Sequence, residues 1–359
     1  MSECPSPLSW MPLPRPALSL CVCLLAGALA AGCGTDTSGS PEAQAQATVK
    51  AYITAEIGHL VTAASALRAA APAPDADGWN DSADAAAVDA MQTQWRAARI
   101  AYEHVEGAIA VLFPGLDAST DERYDGFLDA NEPDTNLFDG QNVTGIHAIE
   151  RILWAGKAPA SVVAFESTLA GYKAAAFPSN MNEATDFRDG LAARLVTDVQ
   201  SMQTMFAPLT LDTAAAFRGV IGSLGEQIEK IDLAADGQEE SCYAQHTLAD
   251  MRANLDGGKT TYDAFRNWVR STASGSSLDP DILAGFDRVN ALYTGISGDA
   301  LPAVPAGFNP DAPTAAQLAT PYGMIFAGLS EESDGTKPGS LVSKMSAAAD
   351  ALGIPQLPQ

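Results

Sequence analysis

The sequence predicts an all-α protein made of two antiparallel helical bundles that lie side by side. Apolar residues recur every three or four positions along most of the chain, as at Val88, Met91, Trp95, Ala98 and Tyr102. That spacing is the period of an amphipathic helix. Proline or glycine ends most of these stretches, and no run of alternating β-branched residues typical of a strand is present in the sequence. Long amphipathic helices joined by short links favour bundles.

The beginning of the chain predicts export and a lipid anchor. Ala17 to Leu29 is an apolar run too short to cross a bilayer as a helix. The run ends in Leu29-Ala-Ala-Gly-Cys33, and these small residues before a cysteine resemble a bacterial lipobox. We therefore expect residues 1–33 to be a lipoprotein signal peptide, with Cys33 as the lipid attachment site and the mature protein anchored in the cell envelope, on its periplasmic or surface face. An ordinary signal peptide, the alternative, would also export the chain.

The rest of the chain is expected to hold one tether and one large domain. Residues 34–47 begin with Ser, Thr and Gly, a composition that suits a flexible tether. One large helical domain is predicted over 48–352. Its first bundle is expected over about 48–178 and its second over about 183–352, because prolines end the helical pattern near residue 178.

Composition limits the classes of partner. The 359 residues include 44 Asp and Glu but only 20 Lys and Arg, which gives a net charge of −24. Nucleic-acid phosphates would be repelled by such a chain, so we expect no nucleic-acid partner. The same charge suits an exported protein or one that handles cations. Four of the five cysteines lie in the first 33 residues, which excludes a disulfide framework or a zinc ribbon.

The helices are predicted in the following order. The first repeats apolar residues from Val49 to Leu67, and the second, capped near Asn80, continues to Leu112 before Pro114 stops it. A long polar loop is expected over 115–142, and loops of that length inside a domain tend to be functional. Later stretches with helical spacing lie at 165–176, 187–206, 217–231, 239–255, 262–269, 286–293, 314–329 and 340–352.

A histidine and a glutamate open the helix that follows the polar loop. In Gly145-x-His147-x-x-Glu150 the two side chains are three residues apart, about 60° around a helix, so they can reach one point in space. Glu150 lies beside the apolar face and is expected to be at least half buried. A buried carboxylate needs a partner. A metal ion, an arginine or backbone donors could each serve, and a plain salt bridge in a capped helix is the structural alternative.

Two glutamates of the second predicted helix lie on or beside its apolar face. Relative to Tyr102, Glu106 falls at about 40° on the wheel and Glu103 at about 100°. Two carboxylates in or beside an apolar face are not typical of a solvated helix face. We therefore predict that Glu103 and Glu106 bind a cation. The alternative for Glu103 is a surface ion pair with Arg99, four residues before it.

Three blocks of the sequence resemble the imelysin family. Residues 142–156, which contain Gly-Ile-His-Ala-Ile-Glu, resemble the family's Gly-x-His-x-x-Glu block. Residues 95–106, from Trp-Arg-Ala-Ala-Arg to Val-Glu, resemble its preceding helix, and 239–250, with Asn254 and Gly257 after them, resemble its third block. The blocks come in the family's order, and the resemblance is taken to span roughly 48–350, so the domain predicted over 48–352 is expected to be imelysin-like.

The resemblance implies a two-bundle α fold, export and a role in metal handling. The family includes components of bacterial iron-uptake systems and was first filed as metallopeptidases. In the third block, Cys242 and Gln245 precede His246, a departure from the uptake-type pattern that resembles the peptidase-filed branch. Carried over from the uptake-type relatives, the implied metal ligands are His147, Glu150, Glu103, Glu106 and Asp121, with Asp117 as the competing choice for the last.

One imidazole and several carboxylates make a hard, oxygen-rich site. Such a site suits iron, manganese or calcium, and zinc is an alternative. We expect a lipoprotein that binds a metal ion, iron first, for uptake and delivers it to an iron transporter of the inner or outer membrane. A metallopeptidase is the second hypothesis, although His-Glu-x-x-His is absent and His246 would have to complete the site. The third is a surface protein that binds haem or polysaccharide, with the motif purely structural.

Overall fold

Helices make up the regular structure of residues 39–80, 82–130 and 133–355, the ranges that this computed structural model describes. No strand occurs within these ranges, so the all-α prediction is confirmed. The helices are α1 (Pro41–Ala70), α2 (Ala85–Glu103), α3 (Glu106–Leu112), α4 (Pro114–Asp121), α5 (Tyr124–Ala130), α6 (Gly145–Leu153), α7 (Ala160–Glu166), α8 (Met181–Asp186) with a π turn (Phe187–Leu191), α9 (Ala192–Phe206), α10 (Thr213–Ala235), α11 (Thr247–Arg270), α12 (Gly275–Thr294), α13 (Ala315–Leu318), α14 (Pro321–Ser333) and α15 (Leu341–Leu352).

The helix α1 begins earlier than predicted, inside the segment expected to be a tether. The Ser40 hydroxyl accepts a hydrogen bond from the backbone of Ala43, and Pro41 takes the first helical position. Both residues favour a helix start at this point, so residues 41–47 belong to the domain. The predicted signal peptide and Cys33 lie outside the described residues. None of the described helices combines the length and the apolar character that crossing a bilayer requires.

The helices pack as two adjoining bundles, as predicted. In the first, α1 packs against α2 and α9, and α6 packs against α2 and α9. In the second, α10 and α12 pack against α11, and α14 and α15 cover them. The contacts of α11 with α1 and α2 join the two bundles. Because α9 packs on α1, the first bundle extends past residue 178, where the sequence divided the chain.

The second predicted helix is broken where the bundles meet. It ends as α2 at Glu103 and resumes as α3 at Glu106. Gly257 of α11 lies against this break, where a β-carbon would come within 2.3 Å of the His104 carbonyl oxygen. The helix α11 therefore comes close to the backbone of His104 at this break. Helical spacing alone did not predict the break.

The region predicted as a polar loop also contains helices. Pro114 opens α4 at a first helical position, and α5 follows after a two-residue link. The prediction of a loop over all of 115–142 was therefore wrong in its first half. Residues 165–176 were predicted to be helical, but most of them are not. The helix α7 ends at Glu166, and Gly171 takes a positive φ of 81°.

Candidate metal centre

A cluster of charged side chains lies buried where the two bundles meet. The first bundle contributes side chains from α2, α3, α4 and α6, and the second contributes them from α10, α11 and the segment 236–246 that joins these two helices. The cluster consists of Arg99, Glu103, Glu106, Asp121, His147, Glu150, Lys230, Glu240 and Asp250.

Gly145 brings α6 against α4. Its φ of +92° is strained for any residue with a side chain, and a β-carbon would lie 2.3 Å from the carbonyl oxygen of Thr120. Only glycine permits this contact. The contact sets the first turn of α6 beside the last turn of α4, so that His147 Nε2 lies 3.4 Å from Asp121 Oδ1.

The pair predicted from the three-residue spacing is in contact. His147 Nδ1 lies 2.9 Å from Glu150 Oε2, and both side chains are buried. The other carboxylate oxygen of Glu150 accepts hydrogen bonds from the backbone of Tyr243 (2.9 Å) and Ala244 (2.7 Å). Backbone donors, one of the three partners considered from sequence, therefore hold Glu150, and His147 is a further partner.

The second ring nitrogen of His147 makes no hydrogen bond, although Asp121 Oδ1 lies 3.4 Å from it. Nε2 is buried and lies in the group formed with Asp121 and Glu240, whose ligand atoms all lie within 4.8 Å of one another. Burial and the nearby Arg99 lower the pKa of His147, but its contacts with Asp121 and Glu150 outweigh them and raise that pKa to about 9.

Lys230 of α10 joins three of the glutamates. Its ammonium lies 2.8 Å from Glu103 Oε1, 3.2 Å from Glu106 Oε2 and 2.8 Å from Glu240 Oε2. Both glutamates predicted as ligands from the second helix are thus buried and near one another, and the same three glutamates form a second group with ligand atoms within 4.8 Å. Glu240 belongs to both groups.

Arg99 is the second cation of the cluster. Its guanidinium donates to Asp121, Glu103 and Glu240, and its Nε lies 3.4 Å from Asp250 Oδ2. The sequence allowed an ion pair between Arg99 and Glu103 on the surface. The pair exists, but both side chains are fully buried, because α11 and the segment 236–246 cover this face of α2.

Negative groups outnumber positive ones in the cluster. Six carboxyl groups surround two permanently charged side chains, Arg99 and Lys230, and one histidine. Burial raises the pKa of Glu103 well above its usual range in spite of both cations. For Glu240, burial also raises the pKa, but Lys230 and Arg99 together bring it well below the usual range. The cluster therefore has more acidic than basic groups, and a further cation would reduce the repulsion among the carboxylates that are ionised.

A cleft gives the cluster access to solvent. It encloses about 260 Å³, and its lining includes Glu106, Asp121, Lys230 and Glu240. Beside it is a wider groove of about 770 Å³, and the two share Glu226, Glu229 and Leu233. The groove is also lined by acidic residues and, in the described part of the chain, by no basic one: Glu226, Glu229, Asp232, Asp236 and Asp311.

The remaining candidates lie outside the two ligand groups. The competing choice, Asp117, accepts a hydrogen bond from the Tyr102 hydroxyl. His246 is buried against the ring of Trp95, with centroids 5.7 Å apart, and its Nε2 lies 4.0 Å from Asp250 Oδ1. Cys242 is a buried free thiol, and burial raises its pKa well above the usual range.

Sequence reasoning missed two central members, Glu240 and Lys230. Glu240 lies in the third block of the imelysin resemblance, but only His246 of that block was considered as a ligand. Lys230 follows the apolar positions of α10 without any local sign of burial. Only the packing of α10 and the segment 236–246 onto α2 and α3 reveals their role.

Glu226 is expected to make the stability of the fold depend on pH. Burial, with repulsion from Glu106, Glu229 and Glu240, raises its pKa to about 7, although Lys230 opposes this. Between the usual pKa of a glutamate and about pH 7, Glu226 therefore keeps its proton in the folded state but has lost it in the unfolded state. The free energy of unfolding should decrease as the pH rises through this window.

The measurement is urea unfolding at pH 5, 6, 7 and 8. The Glu226→Gln variant should lose less stability than the wild type between pH 5 and 8. Glu331→Gln, a change at an exposed position of α14, is the matched control and should keep the wild-type slope. An unchanged slope in Glu226→Gln would show that this carboxyl group does not titrate as stated.

The fold and the cluster define a class: α-helical proteins of two bundles, with a Gly-x-His-x-x-Glu helix where the bundles meet. The chain belongs to the imelysin family, whose sequence model matches residues 45–322. Its structure is similar to the crystal structure of an imelysin-like protein from Psychrobacter arcticum 273-4. The TM-score is 0.58 with 11% sequence identity, covering 88% of this chain and 96% of the other. No protein of curated function matches the chain.

Proposed function

We propose that this protein binds one metal ion, iron first, through Asp121, His147 and Glu240. The observation that carries the proposal is the group of Asp121, His147 and Glu240, whose ligand atoms all lie within 4.8 Å of one another. Within it, the buried His147 Nε2 makes no hydrogen bond and has only the 3.4 Å contact with Asp121 Oδ1. Leaving a buried polar atom without a partner is costly, and native proteins do so rarely outside functional sites. A metal ion at this point would bind Nε2 in place of the proton that His147 otherwise carries towards Asp121.

The surroundings of His147 also favour a metal. Metal-binding histidines usually hold their second nitrogen against a carboxylate, which fixes the ring and its tautomer. Glu150 supplies that contact at 2.9 Å and is itself fixed by two backbone amides. We therefore assign Glu150 the role of positioning His147, and we assign the direct ligand role to Glu240 in its place.

The chemistry of the donors limits the ion. One imidazole and two carboxylates, completed by water, suit divalent iron or manganese, and zinc also binds such donors. The absence of thiolate and thioether donors from the group disfavours copper(I). The acidic groove that adjoins the cleft would raise the local concentration of cations and provide an access route from solvent.

Membership of the imelysin family supports the same class of function. Capture of iron outside the cytoplasm, with delivery to a transporter in the inner or outer membrane, is the role we propose on the basis of the family resemblance and the predicted lipobox at Cys33. The metallopeptidase alternative would need His246 as a further ligand. Both ring nitrogens of His246 are buried without a hydrogen-bond partner, but the residue packs on Trp95 and lies outside both ligand groups of the described chain. The geometry therefore favours the site at His147.

Metal titration tests the proposal. Calorimetry with Fe²⁺ under anaerobic conditions, Mn²⁺ and Zn²⁺ should give a stoichiometry of one for the wild type, with iron bound at least as tightly as manganese. In His147→Ala, the loss of a direct ligand should weaken binding more than about 100-fold, a larger effect than the 10–100-fold typical of outer partners.

The control is His59→Ala, since the His59 side chain is 69% exposed and belongs to neither ligand group. Circular dichroism should show the same helix content in all three proteins. Equal affinities in His147→Ala and the wild type would contradict the assigned ligands. A wild type that binds none of the ions would refute the proposed function as a whole.

A further inference from the structure

Carboxylate oxygens surround the Lys230 ammonium much as ligands surround a metal ion. Its ammonium contacts both oxygens of each of three glutamates: Glu103 at 2.8 and 3.0 Å, Glu106 at 3.2 and 3.5 Å, and Glu240 at 2.8 and 3.0 Å. An ammonium has only three N–H groups. Six close oxygens therefore form a shell around a positive charge, and they exceed the three directed hydrogen bonds that the group can donate.

The shell is held in place by an outer layer of hydrogen bonds. The Asn254 side chain donates to Glu106 Oε2 at 2.7 Å and accepts at its Oδ1 from the Gln227 amide at 2.8 Å. The Tyr293 hydroxyl donates to Gln227 Oε1 at 2.6 Å. All of these residues are buried. Ordered partners of this kind behind a carboxylate are typical of metal ligands. They fix Glu106 independently of the ammonium.

The position of Lys230 adjoins the proposed metal position. Glu240 belongs both to the group with Asp121 and His147 and to the group with Glu103 and Glu106. A carboxylate shared between two cation positions is the usual arrangement of two-metal sites, in which the ions lie about 3.5–4 Å apart. Here one of the two positions contains the side chain of the protein itself.

We propose that Glu103, Glu106 and Glu240 form a second divalent-cation position, which Lys230 fills in the native protein. The ammonium limits the cleft to one metal ion and sets its stoichiometry. This inference rests on the proposed function for the first position, but the second position is defined by its own carboxylates. The side chain of Lys230 is 5% exposed, so the ammonium stays in the cluster and is not exchanged with solvent ions.

Removal of the ammonium should open the second position. Lys230→Met keeps an unbranched chain of similar length and deletes the charge, which leaves three buried carboxylates without their cation. Without metal, the variant should melt about 5–10 °C below the wild type, because a broken buried ion pair is strongly destabilising. Mn²⁺ should restore most of the loss, since an ion bound only to the folded state stabilises it.

Equilibrium dialysis with Mn²⁺ gives the stoichiometry. We expect one ion in the wild type, two in Lys230→Met and one in Lys230→Arg, the control that keeps a positive charge. The double variant His147→Ala with Lys230→Met should bind one ion, because only the second position remains. Electron paramagnetic resonance of Lys230→Met with two ions should show spin coupling between neighbouring Mn²⁺ centres.

The outcomes separate this inference from the proposed function. One ion in both the wild type and Lys230→Met would overturn the second position and leave the first intact. No ion in the wild type but one in Lys230→Met would refute the proposed function and support the second position. Failure of Mn²⁺ to raise the melting temperature of Lys230→Met would also overturn the inference, whether or not the metal-free variant folds.

Discussion

Replacement of Arg99 by leucine is expected to destabilise the protein by about 3–5 kcal/mol, the cost of removing one partner from a buried ion pair. The guanidinium is fully buried and donates to Asp121, Glu103 and Glu240. Leucine would leave these carboxylates with Lys230 as the main nearby cation. The loss, measured by urea unfolding, should be smaller at pH 5 than at pH 7, because stranded carboxyl groups can then take up protons.

Arg68→Leu is the matched control for this experiment. Arg68 pairs with Asp189 in the first bundle, but 43% of its side chain is exposed. Exposed pairs contribute up to about 1 kcal/mol, so this variant should stay close to the wild type. Equal losses in the two variants would show that the buried network is no more important for stability than a surface contact.

Replacement of Glu150 by glutamine is expected to lower metal affinity about 10–100-fold, the usual effect of losing a partner behind a metal-binding histidine. The amide oxygen of glutamine can still accept from the backbone of Tyr243 and Ala244. Its NH₂ group would then face His147 Nδ1 and donate to it. The neutral imidazole would carry its proton on Nε2, the nitrogen that the metal needs.

The affinity of Glu150→Gln is measured by the same calorimetry, with Glu332→Gln as control. Glu332 is also a buried glutamate, but it pairs with Arg288 in the second bundle. Neutralisation of Glu332 should leave the metal affinity unchanged. A wild-type affinity in Glu150→Gln would mean that the orientation of His147 does not depend on this carboxylate. A loss beyond about 100-fold would instead favour Glu150 as a direct ligand, as the family resemblance first implied.

Local patterns in the sequence were enough to predict much of this arrangement. Apolar periodicity predicted the all-α fold. The three-residue spacing predicted that the side chains of His147 and Glu150 can reach one point in space, and they lie 2.9 Å apart. The helical wheel predicted that Glu103 and Glu106 lie in or beside the packed face, and both are buried. These features depend on residues within one or two turns of the same helix, where geometry is fixed by the backbone.

The features that were missed depend on distant parts of the chain. From the second bundle, Lys230 contacts Glu103 and Glu240 contacts Arg99, at separations of 127 and 141 residues. Nothing in the spacing of either residue indicates which helix will cover it. The same holds for the break after Glu103, where the contact with Gly257 depends on how α11 crosses α2. Ligand groups assembled between bundles are therefore visible only once the packing is known.

The distribution of the buried charges over both bundles has a consequence for how the chain folds. Arg99 and Glu103 belong to the first bundle, whereas Lys230 and Glu240 belong to the second. In either bundle alone, these charged groups would lack the ion-pair partners that the other bundle supplies. The two bundles therefore depend on each other for stability, and the domain should unfold in a single cooperative transition. A gene fragment that encodes one bundle would yield an unfolded or aggregated product.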